Sequence, residues 1–466
     1  MSQIRIVILG GGPGGYEAAL VAAEHGADVS IVSKDGLGGN SVLWDCVPSK
    51  ALVSSAEAMG WMPLAHRLGV RLPSGADIAA RATVDMRVVM ERVQALSRDQ
   101  SEDIAKRVLS EGVRLVEGVG RLAGREVVEV ACPDDRTRVL HADVVLVATG
   151  SNPRVLPFAR PDGERVFTAR ELFALQEVPE QLVVVGSGAT GAEYAHAFAR
   201  FGSSVHLISS RSQILPSEDP DAAALIEDSF ERWGMTIHRQ RRAVDMERGA
   251  DGVRVKIGED EWIEGTHALY CVGQVPSSRG LGLEAAGVEL GAGGAIPVDG
   301  VSRTNVYTIY AAGDVTGGIM LATTAAMQGR IAMWHALGAA VAPLRRDAIA
   351  ACIFTHPEVA SVGMNAVKAQ SSQLPIETVR LPLASNSRAK MAERTDGFVK
   401  IHAMQGSGTV LGGLVVSDRA SELITPLSVA VFNRLSVSQL AYAFSIYPSL
   451  SGSVHETARL LMDRLA

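Results

Sequence analysis

"IRIVILGGGPGGYEAALVAAEHGADVSIVS", residues Ile4–Ser33, decides the fold. Ile4–Leu9 is apolar apart from Arg5, the pattern of a parallel strand buried on both faces. It runs into a glycine turn, then into "YEAALVAAEHG", which has helical composition, then into "DVSIVS", a second strand. That is a βαβ unit. Its Gly10, Gly12 and Gly15 fill a GxGxxG frame, flanked by Pro13 and Gly14. The first glycine permits a tight turn, the second lets backbone approach a pyrophosphate, and the third lets helix and strand pack closely. The helix N-terminus then offers N–H groups and partial positive charge to phosphates.

The pattern recurs. "QLVVVGSGATGAEYAHAFARFGSSVHLISS", Gln181–Ser210, places Gly186, Gly188 and Gly191 between strand Leu182–Val185 and strand Val205–Ser209, with Ala189 and Thr190 inside the turn. Two such units imply two dinucleotide sites. The strand ends differ from the usual carboxylate that accepts from a ribose 2′-hydroxyl. The first ends at Ser33, followed by Lys34 and Asp35; either Ser33 makes a weaker contact or Asp35 substitutes. The second ends in Ser209, Ser210 and Arg211, hydroxyls and a guanidinium that suit a 2′-phosphate. The expectation is NADPH, with NADH also accepted.

Between the two units lie a helical stretch around Val84–Leu109, several strands, and a strand within Ala142–Gly150. "GTHALYCVGQVPSS" and "TNVYTIYAAGDVTGG" each read as a strand and turn. After about Arg346 the strands "GFVKIHAM" and "TVLGGLVVS" alternate with helical segments, as in an α+β domain. The expected division is 1–150 (first nucleotide-binding domain), 151–272 (second), 273–345 (a segment completing the first) and 346–466 (a separate domain). The fold class is α/β.

The 466 residues suffice for about three domains. A net charge of −7 without a basic cluster argues against nucleic acid. No leader pattern precedes the first strand and no apolar run approaches the roughly 20 residues of a membrane span, so a cytoplasmic location is expected. Four cysteines, Cys46, Cys132, Cys271 and Cys352, show no CxxC spacing, so neither zinc nor any other metal is expected.

Seven motifs in order, "GGGPGGYEAA", "CVPSKAL", "ATGSNP", "GSGATGAEYA", "IYAAGDVTGG", "THPEVASVG" and "DGFVKI", give the chain a resemblance to the flavoprotein disulfide reductases, dihydrolipoamide dehydrogenase and its relatives. The resemblance covers nearly the whole length. It implies FAD at the first turn, with Gly38, Gly39, Ser41, Cys46, Lys50, Ala148, Thr149, Gly150, Gly313, Asp314 and Ala322 also at that cofactor. It implies NAD(P)H at the second turn, with Gly273 nearby, and a homodimer held by the C-terminal domain. Lys50 and Glu193 match an ion pair beside flavin and nicotinamide. A cation there stabilises the anion formed when hydride arrives.

Two departures from the family's pattern bear on function. Its redox dithiol is CxxxxC; here Ser41 stands at the first position and Cys46 at the second. Disulfide exchange needs two sulfurs. The family's catalytic histidine, supplied across the dimer, is replaced by Tyr447, and its glutamate by Gly452. With its phenol near pKa 10, tyrosine is a poor base at neutral pH but still donates a hydrogen bond. His455 lies close by at the wrong spacing. The exchanging sulfur and the base that serves it are both missing. The chain resembles a narrower branch, the dihydrolipoamide-dehydrogenase-like NAD(P)H-quinone reductases, which implies FAD reduced by NAD(P)H and reoxidised directly by a quinone. Two alternatives stand beside it: a soluble pyridine nucleotide transhydrogenase, whose branch loses the cysteine matched by Cys46, and a flavin-binding redox sensor using Cys46.

Overall fold

The computed structural model describes residues 3–70 and 82–465. They form two compact units. The first comprises residues 3–49, 90–154 and 273–344; the second comprises 50–70, 82–89, 155–272 and 345–465.

In the first unit a five-stranded parallel sheet has the order Ile309–Ala311, Val144–Val147, Arg5–Leu9, Asp28–Ser33, Arg114–Glu117. Ile6, Ile8, Ile31 and Leu146 are buried, as their unbroken apolar runs require of strands covered on both faces. Helix Pro13–Glu24 starts with proline at its first position, where no N–H is needed. An antiparallel ribbon, Val119–Leu122, Val127–Ala131 and Thr137–His141, precedes the strand Val144–Val147. The segment from 273 onward supplies the edge strand Ile309–Ala311.

The second unit repeats this plan. Its parallel sheet runs Thr236–His238, Ser204–Ile208, Gln181–Val185, His267–Tyr270, Val166–Thr168. An antiparallel ribbon, Asp245–Arg248, Val253–Lys256 and Trp262–Gly265, again precedes the return strand. Here the edge strand comes from earlier in the chain. The same unit holds a five-stranded antiparallel sheet ordered Ala350–Ile353, Glu358–Gly363, Val410–Ser417, Phe398–Met404, Ile376–Pro382. Leu427, Leu440 and Leu461, from helices Thr425–Asn433, Val437–Tyr442 and Gly452–Leu465, share a core with Val399, Ile401 and Val415 of that sheet.

Candidate functional site

The two glycine turns are built alike. Gly10 and Gly186 have φ of +110° and +107°, open to glycine and strained for other residues. The Gly10 amide donates to Val32 at 2.9 Å, the Gly186 amide to Ile208 at 3.0 Å. A Cβ at Gly15 would overlap the Gly10 carbonyl, and one at Gly191 the Gly186 carbonyl. The middle glycines differ in kind. A Cβ at Gly12 would meet only the Gly39 backbone at 3.8 Å, and one at Gly188 would meet nothing within 4 Å. Protein packing does not demand glycine there; the bare backbone leaves room for a ligand, so both turns fit a pyrophosphate.

Around the first turn the structure gathers most of the residues expected there. Gly38 donates to Gly11 at 2.8 Å, folding 36–39 back over the turn. Gly14 lies against Ala312 and Ala325. Ala148 donates to Leu9, Thr149 donates through its hydroxyl to Ser277, and Gly150 has φ +71°. The Gly313 amide donates to Gln328 Oε1 at 2.8 Å, and Ala322 opens helix Ala322–Ala336. Burial raises the Asp314 carboxyl above its ordinary range, while a 2.7 Å bond from the Ser151 hydroxyl works against that rise. Sequence reasoning missed Asn40 and Ser151. Asn40 Nδ2 donates to the Ser151 carbonyl at 2.7 Å, so Asn40, Ser151 and Asp314 form a polar relay beside Gly150.

Ser33 spends its proton on the Gly36 carbonyl at 2.6 Å, and its oxygen can still accept. Lys34 and Asp35 stand exposed, 3.7 Å apart. Ser41, at the family's first-cysteine position, donates to Gly38 at 2.8 Å and serves the turn. Cys46 opens helix Cys46–Arg67.

At the second turn one expectation is corrected. Ser209 is fully buried; its hydroxyl accepts from Ser187 at 2.8 Å and lies 3.1 Å from the Gln213 carbonyl. It shapes the loop and has no free face for a phosphate. Ser210 and Arg211 are exposed. A neighbouring strand end joins them: Gln240 donates to the Arg211 carbonyl and Arg241 to that of Ser209, each at 2.9 Å. Arg241 is paired with Glu261 at 3.0 Å, whereas Arg242 is exposed with no ion pair among the described residues. Arg242 escaped the sequence reading because the segment that bonds this loop, Gln240–Arg241, lies about 30 residues further along the chain. Gly273 keeps a positive φ of +97° and accepts from Arg154.

Lys50 and Glu193 meet. Lys50 Nζ lies 2.8 Å from Glu193 Oε2 and 4.9 Å from the Phe354 ring centroid. The other Glu193 oxygen accepts from the Phe354 amide at 3.0 Å. The Glu193 side chain is 4% exposed and that of Lys50 29%. The pair is thus an oriented, half-sheltered charge. Cys352, in the same unit, is no substitute for the missing sulfur: burial and nearby carboxylates push its thiol far above the usual range.

Tyr447 is 85% exposed, at the end of an exposed apolar run with Tyr442, Phe444 and Ile446. His455 Nδ1 lies 2.9 Å from the Leu440 carbonyl and is committed within its own fold. Among the described residues no group of three or more His, Cys, Asp or Glu could hold a metal, and no helix is long and apolar enough to cross a membrane.

The family model for pyridine nucleotide-disulphide oxidoreductases matches residues 4–329, and the model for their dimerisation domain matches 349–458. The chain belongs to this family. Its members use FAD and NAD(P)H, and the chain is a flavoprotein oxidoreductase with a dimerisation domain. It is 46% identical over 467 aligned residues to an NAD(P)H dehydrogenase (quinone) of Mycobacterium tuberculosis, covering 98% of this chain and 94% of the relative. A dihydrolipoyl dehydrogenase of Chlorobaculum tepidum is 33% identical, with 98% and 97% covered. The crystal structure of LpdA from Mycobacterium tuberculosis superposes with a TM-score of 0.93 at 45% identity, covering 98% of this chain and all of that one.

Proposed function

We propose that the chain is a FAD-dependent NAD(P)H:quinone oxidoreductase that works as a homodimer and passes electrons to its acceptor without disulfide exchange. The observation that carries this reading is a family site with its ion pair intact and its dithiol halved. Lys50 and Glu193 are joined at 2.8 Å, while the position five residues before Cys46 is a serine bonded to its own turn. The similar mycobacterial enzyme carries the quinone activity in its name.

Gly10, Gly12, Gly15, Gly39, the Gly150 turn and Asp314 would hold FAD; Gly186, Gly188, Gly191, Ser210, Arg211 and Arg242 would hold NADPH. When bound, FAD supplies a two-electron carrier between nicotinamide and acceptor. The protein's own contribution is electrostatic. Glu193, fixed by the Phe354 amide, holds the Lys50 ammonium in place, and a preorganised cation counters developing negative charge without reorganising at the moment of reaction. Arg211 and Arg242 offer guanidinium donors to a 2′-phosphate. Tyr447, exposed within the part matched by the dimerisation model, donates a hydrogen bond to a quinone oxygen across the dimer, and the apolar run Tyr442–Ile446 beside it is buried on association.

Steady-state turnover with NADPH and NADH, against a panel of quinones, lipoamide, glutathione disulfide and a thio-NAD analogue, tests the reading. Quinones should turn over while lipoamide and glutathione disulfide do not. Lipoamide reduction at a comparable rate would contradict it, and so would dominant nucleotide-to-nucleotide transfer without quinone.

A further inference from the structure

Within the second unit lies a cavity of about 440 Å³ bordered by four arginines, Arg67, Arg200, Arg232 and Arg394. Three of them have a carboxylate partner: Arg67 has Glu393 at 2.7 Å, Arg232 has Asp396 at 2.6 Å, and Arg394 has Asp418 at 3.1 Å. Arg200 has no carboxylate within salt-bridge distance among the described residues. Its guanidinium lies 3.6 Å from the Trp233 ring centroid, and its Nε is buried without a hydrogen-bond partner. The Arg394 Nε is likewise buried and unpaired, while its Nη1 donates to His356 Nε2 at 2.6 Å. His356 adds no charge, because burial and the neighbouring arginines push it down to about 3. The Glu57 and Asp418 carboxyls favour the charged form of Arg200 from outside salt-bridge distance, against burial and the Arg394 charge. Burial lowers Arg200 itself to about 10, the mark of a cation short of compensation.

A half-buried guanidinium with an unpaired N–H and no carboxylate in salt-bridge distance is costly. In a chain of net charge −7 it is also out of character. A planar guanidinium fork matches a carboxylate or phosphate in two-point geometry, and the cavity volume is that of a small-molecule site. Trp233 and Pro357 supply an apolar wall. The backbone is arranged to keep Arg200 in place: a Cβ at Gly60, on helix Cys46–Arg67, would overlap its guanidinium.

We propose that this cavity is a binding site for a small organic anion, with its carboxylate or phosphate head on Arg200 and Arg394 and its apolar body against Trp233 and Pro357. It is separate from the nucleotide turn. Helix Ala189–Phe201 begins at the Gly188 turn and carries Arg200 in its last turn, about 16 Å along the axis. The proposal does not rest on the quinone reading.

The test is calorimetric titration of the FAD-loaded enzyme with inorganic phosphate, acetate, phenyl phosphate and benzoate, with tryptophan fluorescence followed in parallel. Saturable binding of phenyl phosphate or benzoate is expected, tighter than that of phosphate or acetate; comparison of the two aromatic probes assigns the head group. Arg200→Met should weaken it by at least about tenfold while leaving FAD content and the KM for NADPH unchanged. Gly60→Ala should do the same by displacing the guanidinium, and it keeps the fold because alanine is the better helix former. No saturable binding of any probe, or binding that both variants leave unchanged, overturns the proposal.

Discussion

At the first glycine turn the chain folds back over its own ligand-facing backbone: Gly38 bonds to Gly11, Gly39 approaches Gly12, and Ser41 ties down Gly38. At the second, the middle glycine faces open space, and the flanking loop Ser209–Arg211 is held by Ser187, by the Gln213 carbonyl and by the backbone of Gln240 and Arg241. The same strand–turn–helix serves two regimes. An enclosed turn suits a cofactor that stays; an open one suits a cosubstrate that arrives and leaves each cycle. The glycines set the shared geometry, and the segment after the second strand decides how the site is used.

The harshest way to break this comparison is to fill the third glycine of each turn. Gly15→Ala and Gly191→Ala each drive a methyl into a carbonyl oxygen, a strain of several kcal/mol. Gly15→Ala should purify without flavin absorbance. Gly191→Ala should keep its flavin yet fail to be reduced by NADPH. If both lose flavin, the two turns are not independent.

Lys50→Met should leave flavin bound and lower kcat by roughly 100-fold, the scale of removing one preorganised electrostatic group. Glu193→Gln should cost less, since an amide oxygen still accepts from Phe354. Single-turnover reduction by NADPH measures both.

A smaller effect should mark the second turn alone. Arg211→Gln and Arg242→Gln should each lower kcat/KM for NADPH about tenfold and leave NADH nearly unchanged. An equal loss with both nucleotides would move these arginines away from the 2′-phosphate.

The second unit should also carry a modest acid sensitivity. Burial lowers His402 to about 4 and His356 to about 3, against an unfolded value near 6.5. Below about pH 6.5 the unfolded chain therefore binds more protons, and the stability these histidines confer falls as pH drops towards 4. Asp418, raised to about 6, acts in the opposite sense. His402→Gln should show a smaller fall in Tm between pH 7 and pH 5 than the parent enzyme, by a few degrees.

The periodic parts of the chain could be read without a structure. Asp28–Ser33 was legible to the residue, and the long helix expected around Val84–Leu109 is Met86–Ser110, because apolar runs and glycine turns are local signals. The side-chain commitments were not. Ser209 reads as a phosphate ligand in sequence, but its hydroxyl is buried and accepts from Ser187, 22 residues earlier. The Asn40–Ser151–Asp314 relay joins three distant segments, and the Phe354 amide that fixes Glu193 lies 161 residues away from it. Motif spacing shows which residues share a turn, but not which hydroxyl is already used inside the fold.

The central claim is that electrons reach the acceptor without passing through sulfur. Cys46→Ala tests it most directly, by quinone turnover under NADPH with flavin content measured on the same sample. Turnover close to that of the parent enzyme is the predicted result. Loss of most turnover with FAD still bound would contradict the account and make Cys46 a participant.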